Sequence, residues 1–385
     1  MTRSLDKITA DYLEQQLAPP SPHPRRLGWG ILGAANIARR NWKALFHSGN
    51  GTLVAVAARE RARAEAFIDD GQAQFPFDPA PQALGSYDQL LAMDDIDAVY
   101  IPLPTGRRKE WVVRAAEAGK HVLCEKPCAL NAGDLREMLA TCRSNGVQFM
   151  DGVMFMHNLR LIALRPVLDD AQRLGPIRRI MSFFSFNGGD PEAFRSNIRV
   201  QGLLEPAGCL GDLGWYCLRI SLFVMHWQLP QFATGRILTA AEDGKTPTQF
   251  SGELIFPDGT SAGFYCAFVV DGQQWVSISG QRGTVRVSDF VHPANTYEPS
   301  FEVNRTEYRA PAEAGVEVPM APGALADFGH PTAQDARMFR NFAAQALSGK
   351  INADWPEIAL KTQLVMDACL ASARNESRLV KVELV

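Results

Sequence analysis

Two short stretches hold residue types that together can move a proton. Glu125-Lys126-Pro127 follows the run His121 to Cys124, and Gly211-Asp212-Leu213-Gly214-Trp215-Tyr216 opens an apolar helical pattern reaching Val224. A lysine ammonium stabilises phenolate character, a phenol passes a proton, and a carboxylate orients its neighbours. Asp212 and Tyr216 stand four apart, so on a helix they share one face. Lys126, Tyr216 and Asp212 are therefore candidate acid–base residues. Each also has a plainer reading: a surface lysine beside a turn proline, a core aromatic, a helix N-cap. Partial burial of Lys126 near helix N-termini is expected to lower its pKa. The Lys126–Pro127 peptide is a candidate for the cis form.

These residues need a scaffold, and Leu27 to Ala38 supplies its first element. The segment reads as a buried strand from Leu27 to Leu32, a tight turn at Gly33-Ala34-Ala35, and a helix opening at Asn36-Ile37. Such a turn brings backbone close to a pyrophosphate and aims helix N–H groups and a positive dipole end at it. The pattern G-x-G-x-x-G/A is met at Gly33 and Ala38, with Ala35 at its middle position. Alanine fits there if φ is negative. An ordinary βα turn is the alternative.

Apolar runs then alternate with helical patterns to about Met150, which signals βαβ units and a parallel sheet. Strands are expected at Thr52–Ala58, Ile96–Ile101 and His121–Cys124. Helices are expected at Glu60–Asp70, Thr105–Ala118 and Asn131–Ser144, the last capped by Asn131. Ligands of such sheets bind at the carboxyl edges of the strands. This places Pro102, Leu103, Pro104, Thr105, Glu125 and Lys126 at a cofactor, with Lys126 near a nicotinamide ring. The end of strand two, roughly 20 residues after the turn, selects the cofactor. Arg59 and Arg63 there suit a ribose 2′-phosphate and hence NADP(H). If Glu60 holds the ribose instead, NAD(H) fits.

Beyond Met150 short strands are expected at Ile177–Phe186, Phe232–Thr239, Gln249–Phe256, Ser261–Val269, Gln274–Ser279 and Thr284–Val287. Asp258-Gly259 and Asp271-Gly272 read as turns between them, giving a mostly antiparallel sheet. Helices are expected at Pro206–Val224, Pro331–Leu347 and Pro356–Arg374. Residues 1–26 read as a short amphipathic helix, carried by Leu5, Ile8, Tyr12, Leu13 and Leu17, then a proline-rich spacer over 19–24. The expected domains are an N-terminal arm (1–26), a dinucleotide-binding domain (27–150) and a substrate and oligomerisation domain (151–385).

Composition narrows the classes. The chain has 385 residues, a formal net charge of −3 and 21% charged residues. It carries no basic field for nucleic acid and no apolar run of the ~18 residues that span a membrane. Arg25-Arg26 sits behind a polar lead and does not read as an export signal. Seven cysteines without a C-x-x-C pair fit reduced thiols in the cytoplasm, and no metal site is expected.

GILGAANIA, Glu125-Lys126-Pro127 and Asp212-x-Gly-x-Tyr216, in this order over residues 27–385, resemble the glucose–fructose oxidoreductase/inositol dehydrogenase (Gfo/Idh/MocA) family. Tyrosine at 216 is similar to the branch holding dimeric dihydrodiol dehydrogenase and NADP-dependent D-xylose dehydrogenase. The resemblance implies an α/β fold: a Rossmann doubly wound parallel sheet, then an α+β domain whose open-faced, mostly antiparallel sheet forms a homodimer or homotetramer. It implies that Lys126 binds the reacting oxygen, Tyr216 acts as acid/base and Asp212 lies beside them. The expected activity is hydride transfer between NADP(H) and a CH–OH/C=O carbon of a sugar, cyclic polyol or related diol. A cofactor-recycling glycosidase of this fold and a nucleotide-sensing regulator are the alternatives. Where the family often has Asn-x-x-His, this chain has Thr105-Gly-Arg-Arg108, so Arg108 is a candidate for a further substrate oxygen or carboxylate. Asn197, Arg199 and Glu205 either read substrate polar groups or order their loop.

Overall fold

The structure is a computed structural model and describes residues 25–293, 300–304, 316–317 and 333–383. The helix and proline spacer expected before residue 25 lie outside the described residues, as do Pro331 and Thr332 of the expected penultimate helix.

Six strands form the first sheet: β1 (Leu27–Leu32), β2 (Gly51–Ala57), β3 (Gln82–Leu84), β4 (Ala98–Ile101), β5 (His121–Cys124) and β6 (Phe149–Asp151). Their order is β3-β2-β1-β4-β5-β6, parallel throughout. All six residues of β1 are buried, as an internal parallel strand with helices on both faces requires. The connecting helices are α1 (Asn36–Ser48), α2 (Arg61–Gln72), α3 (Tyr87–Leu91), α4 (Thr105–Glu117) and α5 (Ala132–Ser144). Asn131 caps α5, its Oδ1 accepting from Asp134 N. Strand order reverses between β1 and β4, which opens a crevice at their carboxyl ends.

Helix α6 (Leu159–Leu168) leads to β7 (Ile177–Asn187), and a loop holding α7 (Pro191–Arg195) leads to α8 (Trp215–Val224). The second sheet continues with β8 (Phe232–Ala240), β9 (Pro247–Ile255), β10 (Ser261–Ala267), β11 (Val269–Gly280), β12 (Thr284–Val287), β13 (Ser300–Asn304) and β14 (Val316–Glu317). Helices α9 (Gln334–Leu347) and α10 (Asp354–Arg374) follow, and β15 (Val380–Lys381) ends the order β14-β13-β12-β11-β7-β10-β9-β8-β15. Its pairs are antiparallel except β10 with β7.

Asp271-Gly272 does not join two strands. Both lie inside β11, where the pairing with β7 shifts register between Val269 and Gln273. The chain passes from β10 to the far side of β7, and a bulge takes up the extra residues.

Every residue of α8 is buried, the helix packing against β7 and β10 of the second sheet and against α10. Arg219 forms a buried ion pair with Asp151 of β6 and donates to Thr362 Oγ1 of α10 at 2.8 Å. Trp215 Nε1 donates to the same Asp151 at 3.3 Å. Helix α9 returns to the first sheet, where Phe339 and Phe342 each lie 5.2 Å from Trp29 of β1. The last part of the chain thus closes the first layer as well as the second.

Candidate active site

The turn after β1 is built for close approach. Gly33 has φ +118°, and a Cβ there would lie 2.9 Å from Leu103 Cδ2. Ala35 has φ −87° and ψ 154°, which an alanine adopts without strain. It offers no side-chain cap to α1, whose first turn carries no acid. The N–H groups of Asn36 and Ile37 are therefore left for an anion at the helix N-terminus. Arg59 and Arg63 are exposed beyond β2, and their side chains take no hydrogen-bond or ion-pair partner among the described residues. Both charges act on Tyr87, whose hydroxyl is 3.8 Å from the position of a Cβ on Gly33. Glycine turn and arginines thus share one edge, and these residues fit a dinucleotide carrying a 2′-phosphate.

Ala34 is the middle residue of that turn, while Pro102, Leu103 and Pro104 form the neighbouring loop after β4. Thr105 opens α4, and its N–H and Oγ1 donate to the Glu205 carboxylate at 2.9 and 2.6 Å. Glu205 therefore caps α4 across the crevice and orders its own loop. Asn197 is also local: its Oδ1 accepts from Arg199 N at 3.1 Å.

Arg108 departs from expectation. Its side chain is buried and donates to the carbonyls of Leu103 (2.7 Å) and Pro127 and to Thr105 Oγ1 (2.9 Å). It ties the loop after β4 to the loop holding Lys126, and a role at a substrate oxygen does not fit this placement.

The Lys126–Pro127 peptide is cis. Glu125 is buried, with Oε1 accepting from Tyr100 OH at 2.7 Å, and Asn41 Nδ2 donates to that hydroxyl at 2.6 Å. Lys126 Nζ donates to Asp212 Oδ1 at 2.5 Å and to the Asp212 carbonyl at 2.7 Å. It also lies 4.7 Å from the centre of the Tyr216 ring. Two of its three N–H groups are thus committed to Asp212.

Asp212 is not an N-cap. Leu210–Gly214 is a single π-turn running into α8, a feature frequent at functional sites. The wider turn lets the Asp212 carbonyl accept from Lys126. Gly211 permits the contact, since a Cβ there would lie 2.9 Å from Ala207 Cβ and 3.2 Å from Pro127 Cγ. Asp212 Oδ2 accepts from Arg199 Nε at 2.6 Å, so one carboxylate holds two cations.

Burial alone would raise the Asp212 pKa, but Lys126 and Arg199 outweigh it and hold the carboxyl well below the usual range. The expected fall for Lys126 is reversed. Burial pulls its ammonium down, and Asp212, Tyr216 and Glu125 more than offset that and raise it. Tyr216 is pushed up to about 12 by burial, with Lys126 opposing. The resting site therefore holds an ammonium, a carboxylate and a neutral phenol. Tyr216 is also the core aromatic of the plainer reading, with Phe155 and Phe184 at 5.9 and 5.5 Å and its hydroxyl 3.6 Å from Met154 Sδ.

His292 carries no sequence signal and reaches the site through Phe184, 6.1 Å away. Burial, helped by Arg40 and Lys126, lowers its pKa to about 3. Arg40 of α1 also pairs with Asp335 of α9 at 2.9 Å, which joins the cofactor-side helix to the wall of the site. All seven cysteines are buried free thiols, and the described residues contain no cluster of His, Cys, Asp or Glu able to hold a metal. No described helix is long and apolar enough to cross a membrane.

Comparison with known proteins agrees with this fold. Residues 27–153 match the model of the Gfo/Idh/MocA oxidoreductase family with its NAD-binding Rossmann fold, and residues 165–286 match the family's C-terminal domain. A D-xylose 1-dehydrogenase (NADP(+)) of Haloferax volcanii is 30% identical over 72% of this chain and 79% of its own. The trans-1,2-dihydrobenzene-1,2-diol dehydrogenase of Bos taurus is 32% identical over 68% of this chain and 74% of its own. A 3-ketoreductase from Actinomadura kijaniata, solved with NADP and TDP-benzene, superposes with a TM-score of 0.78 at 27% identity, covering 90% of this chain and 98% of the other. The chain belongs to the Gfo/Idh/MocA oxidoreductase family.

Proposed function

We propose that the protein is an NADP(H)-dependent oxidoreductase that moves a hydride between the nicotinamide and a CH–OH/C=O carbon of a sugar, cyclic polyol or related diol. The observation that carries this is Lys126 Nζ, fixed on Asp212 and 4.7 Å from the Tyr216 ring at the carboxyl end of β5. The relatives that act on D-xylose and on a dihydrobenzene diol support the substrate class, and the ketoreductase solved with NADP supports the cofactor.

Gly33, Ala34, Ala35, Asn36 and Ile37 would hold the pyrophosphate, and Arg59 and Arg63 the 2′-phosphate. Pro102 to Thr105 and Glu125 would line the crevice towards the ring. When bound, the nicotinamide supplies or accepts the hydride. Lys126 uses its third N–H to hold the substrate oxygen and stabilise alkoxide charge. In reduction Tyr216 donates its phenolic proton to that oxygen, and in oxidation the phenolate takes the proton back. The adjacent ammonium makes the phenolate less costly, and Asp212 keeps Lys126 charged and oriented.

We further infer a homodimer or homotetramer built through the open face of the second sheet. Phe183 there stacks on Tyr265 at 4.6 Å and on Trp275 at 5.7 Å, and Met181 beside them is exposed.

The test is to denature the purified protein, identify released nucleotide, and titrate the emptied protein with NADPH and NADH by tryptophan fluorescence. Preference for NADPH of about tenfold or more is expected. Failure to bind either nucleotide would overturn the assignment.

A further inference from the structure

Arg199 is held in an unusual way for a residue at the mouth of a site. Its backbone is fixed by the loop between β7 and α8, which is tied down at several points. Asn197 Oδ1 accepts from Arg199 N, Gln201 Nε2 donates to the Arg195 carbonyl at 3.0 Å, and Gly106 N donates to the Leu204 carbonyl at 2.9 Å. The guanidinium is fixed on two sides. Its Nε donates to Asp212 Oδ2, and one face covers the Phe186 ring at 5.7 Å. The two terminal nitrogens make no hydrogen bond with any described residue, and the side chain remains 45% exposed.

This leaves a pre-oriented pair of N–H donors facing the solvent side of the site. Such a fork matches the two oxygens of a carboxylate or a phosphate, and little side-chain entropy remains to be lost on binding. Charge favours the same ligand. Asp212 carries one negative charge between two cations, so Lys126, Asp212 and Arg199 together keep one positive charge. The Glu205 carboxylate also acts on the Arg199 charge, but its oxygens accept from the N–H and Oγ1 of Thr105 and make no hydrogen bond to the terminal nitrogens of Arg199. Because Asp212 grips Lys126 and Arg199 on opposite oxygens, a substrate whose reacting oxygen meets Lys126 presents its neighbouring substituents to Arg199.

We propose that Arg199 is a specificity-determining residue that binds an anionic substituent of the substrate, a carboxylate or phosphate on a polyhydroxylated carbon skeleton. The proposal rests on the oxidoreductase reading above for the place of the reacting oxygen. It adds that the preferred substrate is an acidic sugar derivative rather than a neutral sugar.

The test uses the full chain with NADP+ bound and three probes that differ in one group: D-glucose, D-glucuronate and D-glucose 6-phosphate. Affinity is read by tryptophan fluorescence for wild type, Arg199→Gln and Arg199→Lys. In wild type at least one charged probe should bind about tenfold or more tighter than D-glucose, as charge-assisted bidentate bonds predict. The tighter of the two acids names the group. Arg199→Gln should abolish the preference, while Arg199→Lys, which keeps the charge and can still reach Asp212, should retain part of it. Equal binding of all three probes by wild type, no binding of any, or an undiminished preference in Arg199→Gln would overturn the proposal.

Nicotinamide absorbance recorded in the same mixtures separates the two ideas. Charge-selective binding without absorbance change for any substrate would leave Arg199 as an anion site and remove the oxidoreductase reading. Turnover of neutral and charged probes with equal efficiency would do the reverse.

Discussion

Lys126 and Tyr216 come from different layers of the molecule, and the lysine Nζ lies over the tyrosine ring, 4.7 Å from its centre, rather than against its hydroxyl. The hydroxyl is directed to Met154 Sδ. Both side chains are nearly enclosed, so the ammonium is stabilised by the ring face and by Asp212 at once. The pairing depends on the junction of β5 and α8, and the predictions below follow from how that junction and the cofactor edge are built.

Arg59 and Arg63 face solvent without a carboxylate partner among the described residues, which leaves both guanidiniums open to an incoming anion. Replacing both with alanine should weaken NADPH binding by about tenfold to a hundredfold, the scale of charge-assisted hydrogen bonds. NADH binding should change little. Parallel fluorescence titrations check this, and equal losses for the two nucleotides would assign the 2′-phosphate elsewhere.

Arg108 is a clamp, so its removal should be felt as stability. Arg108→Ala strands the buried carbonyls of Leu103 and Pro127 without their donor and should cost about 2–4 kcal/mol. Urea unfolding measures this. A variant of unchanged stability with a raised KM would restore the substrate role.

Acid should unfold the protein through its histidines. His157 and His292 have ordinary values of 6.5 lowered to about 3, in both cases first by burial. Between those limits the unfolded chain binds protons that the native state does not. Stability is therefore full above about pH 6.5 and falls as pH drops towards 3, by up to about 1.4 kcal/mol per pH unit for each histidine. Urea midpoints across this range should show the fall, and His157→Gln should flatten it. A midpoint independent of pH would contradict the burial of both rings.

Much of this was legible in the sequence where the signal is local. The turn at Gly33 depends on backbone reach and on the absence of a capping acid, both of which are written in adjacent residues. Strand β5 has the expected ends, and so have β1 and β12, because apolar runs bounded by turn residues mark them. Asp212 and Tyr216 lie on one continuous helical segment, but Asp212 falls in its π-turn and Tyr216 in the α-helix that follows. What was hidden depends on contacts distant along the chain. The π-turn at Leu210–Gly214 is set by the approach of Pro127 to Gly211, and no periodicity records it. Arg108 looks like a free cation until the carbonyls of Leu103 and Pro127 are placed around it. Lys126 was expected to lose basicity from burial, yet a carboxylate 86 positions away reverses the sign. His292 stands against Phe184 of β7, which in turn packs on Tyr216, a relation with no trace in local sequence.

The central claim is that Lys126 and Tyr216 act on the substrate carbon–oxygen bond. Single-turnover absorbance of the nicotinamide, recorded after fluorescence has shown nucleotide saturation, tests it most directly. Lys126→Met and Tyr216→Phe should bind nucleotide nearly as wild type does, while the rate of absorbance change falls by about a hundredfold or more. In wild type the oxidation rate should rise with pH towards 12, because the buried phenol must lose its proton to act as base. Absorbance changes in both variants at the wild-type rate would contradict the account.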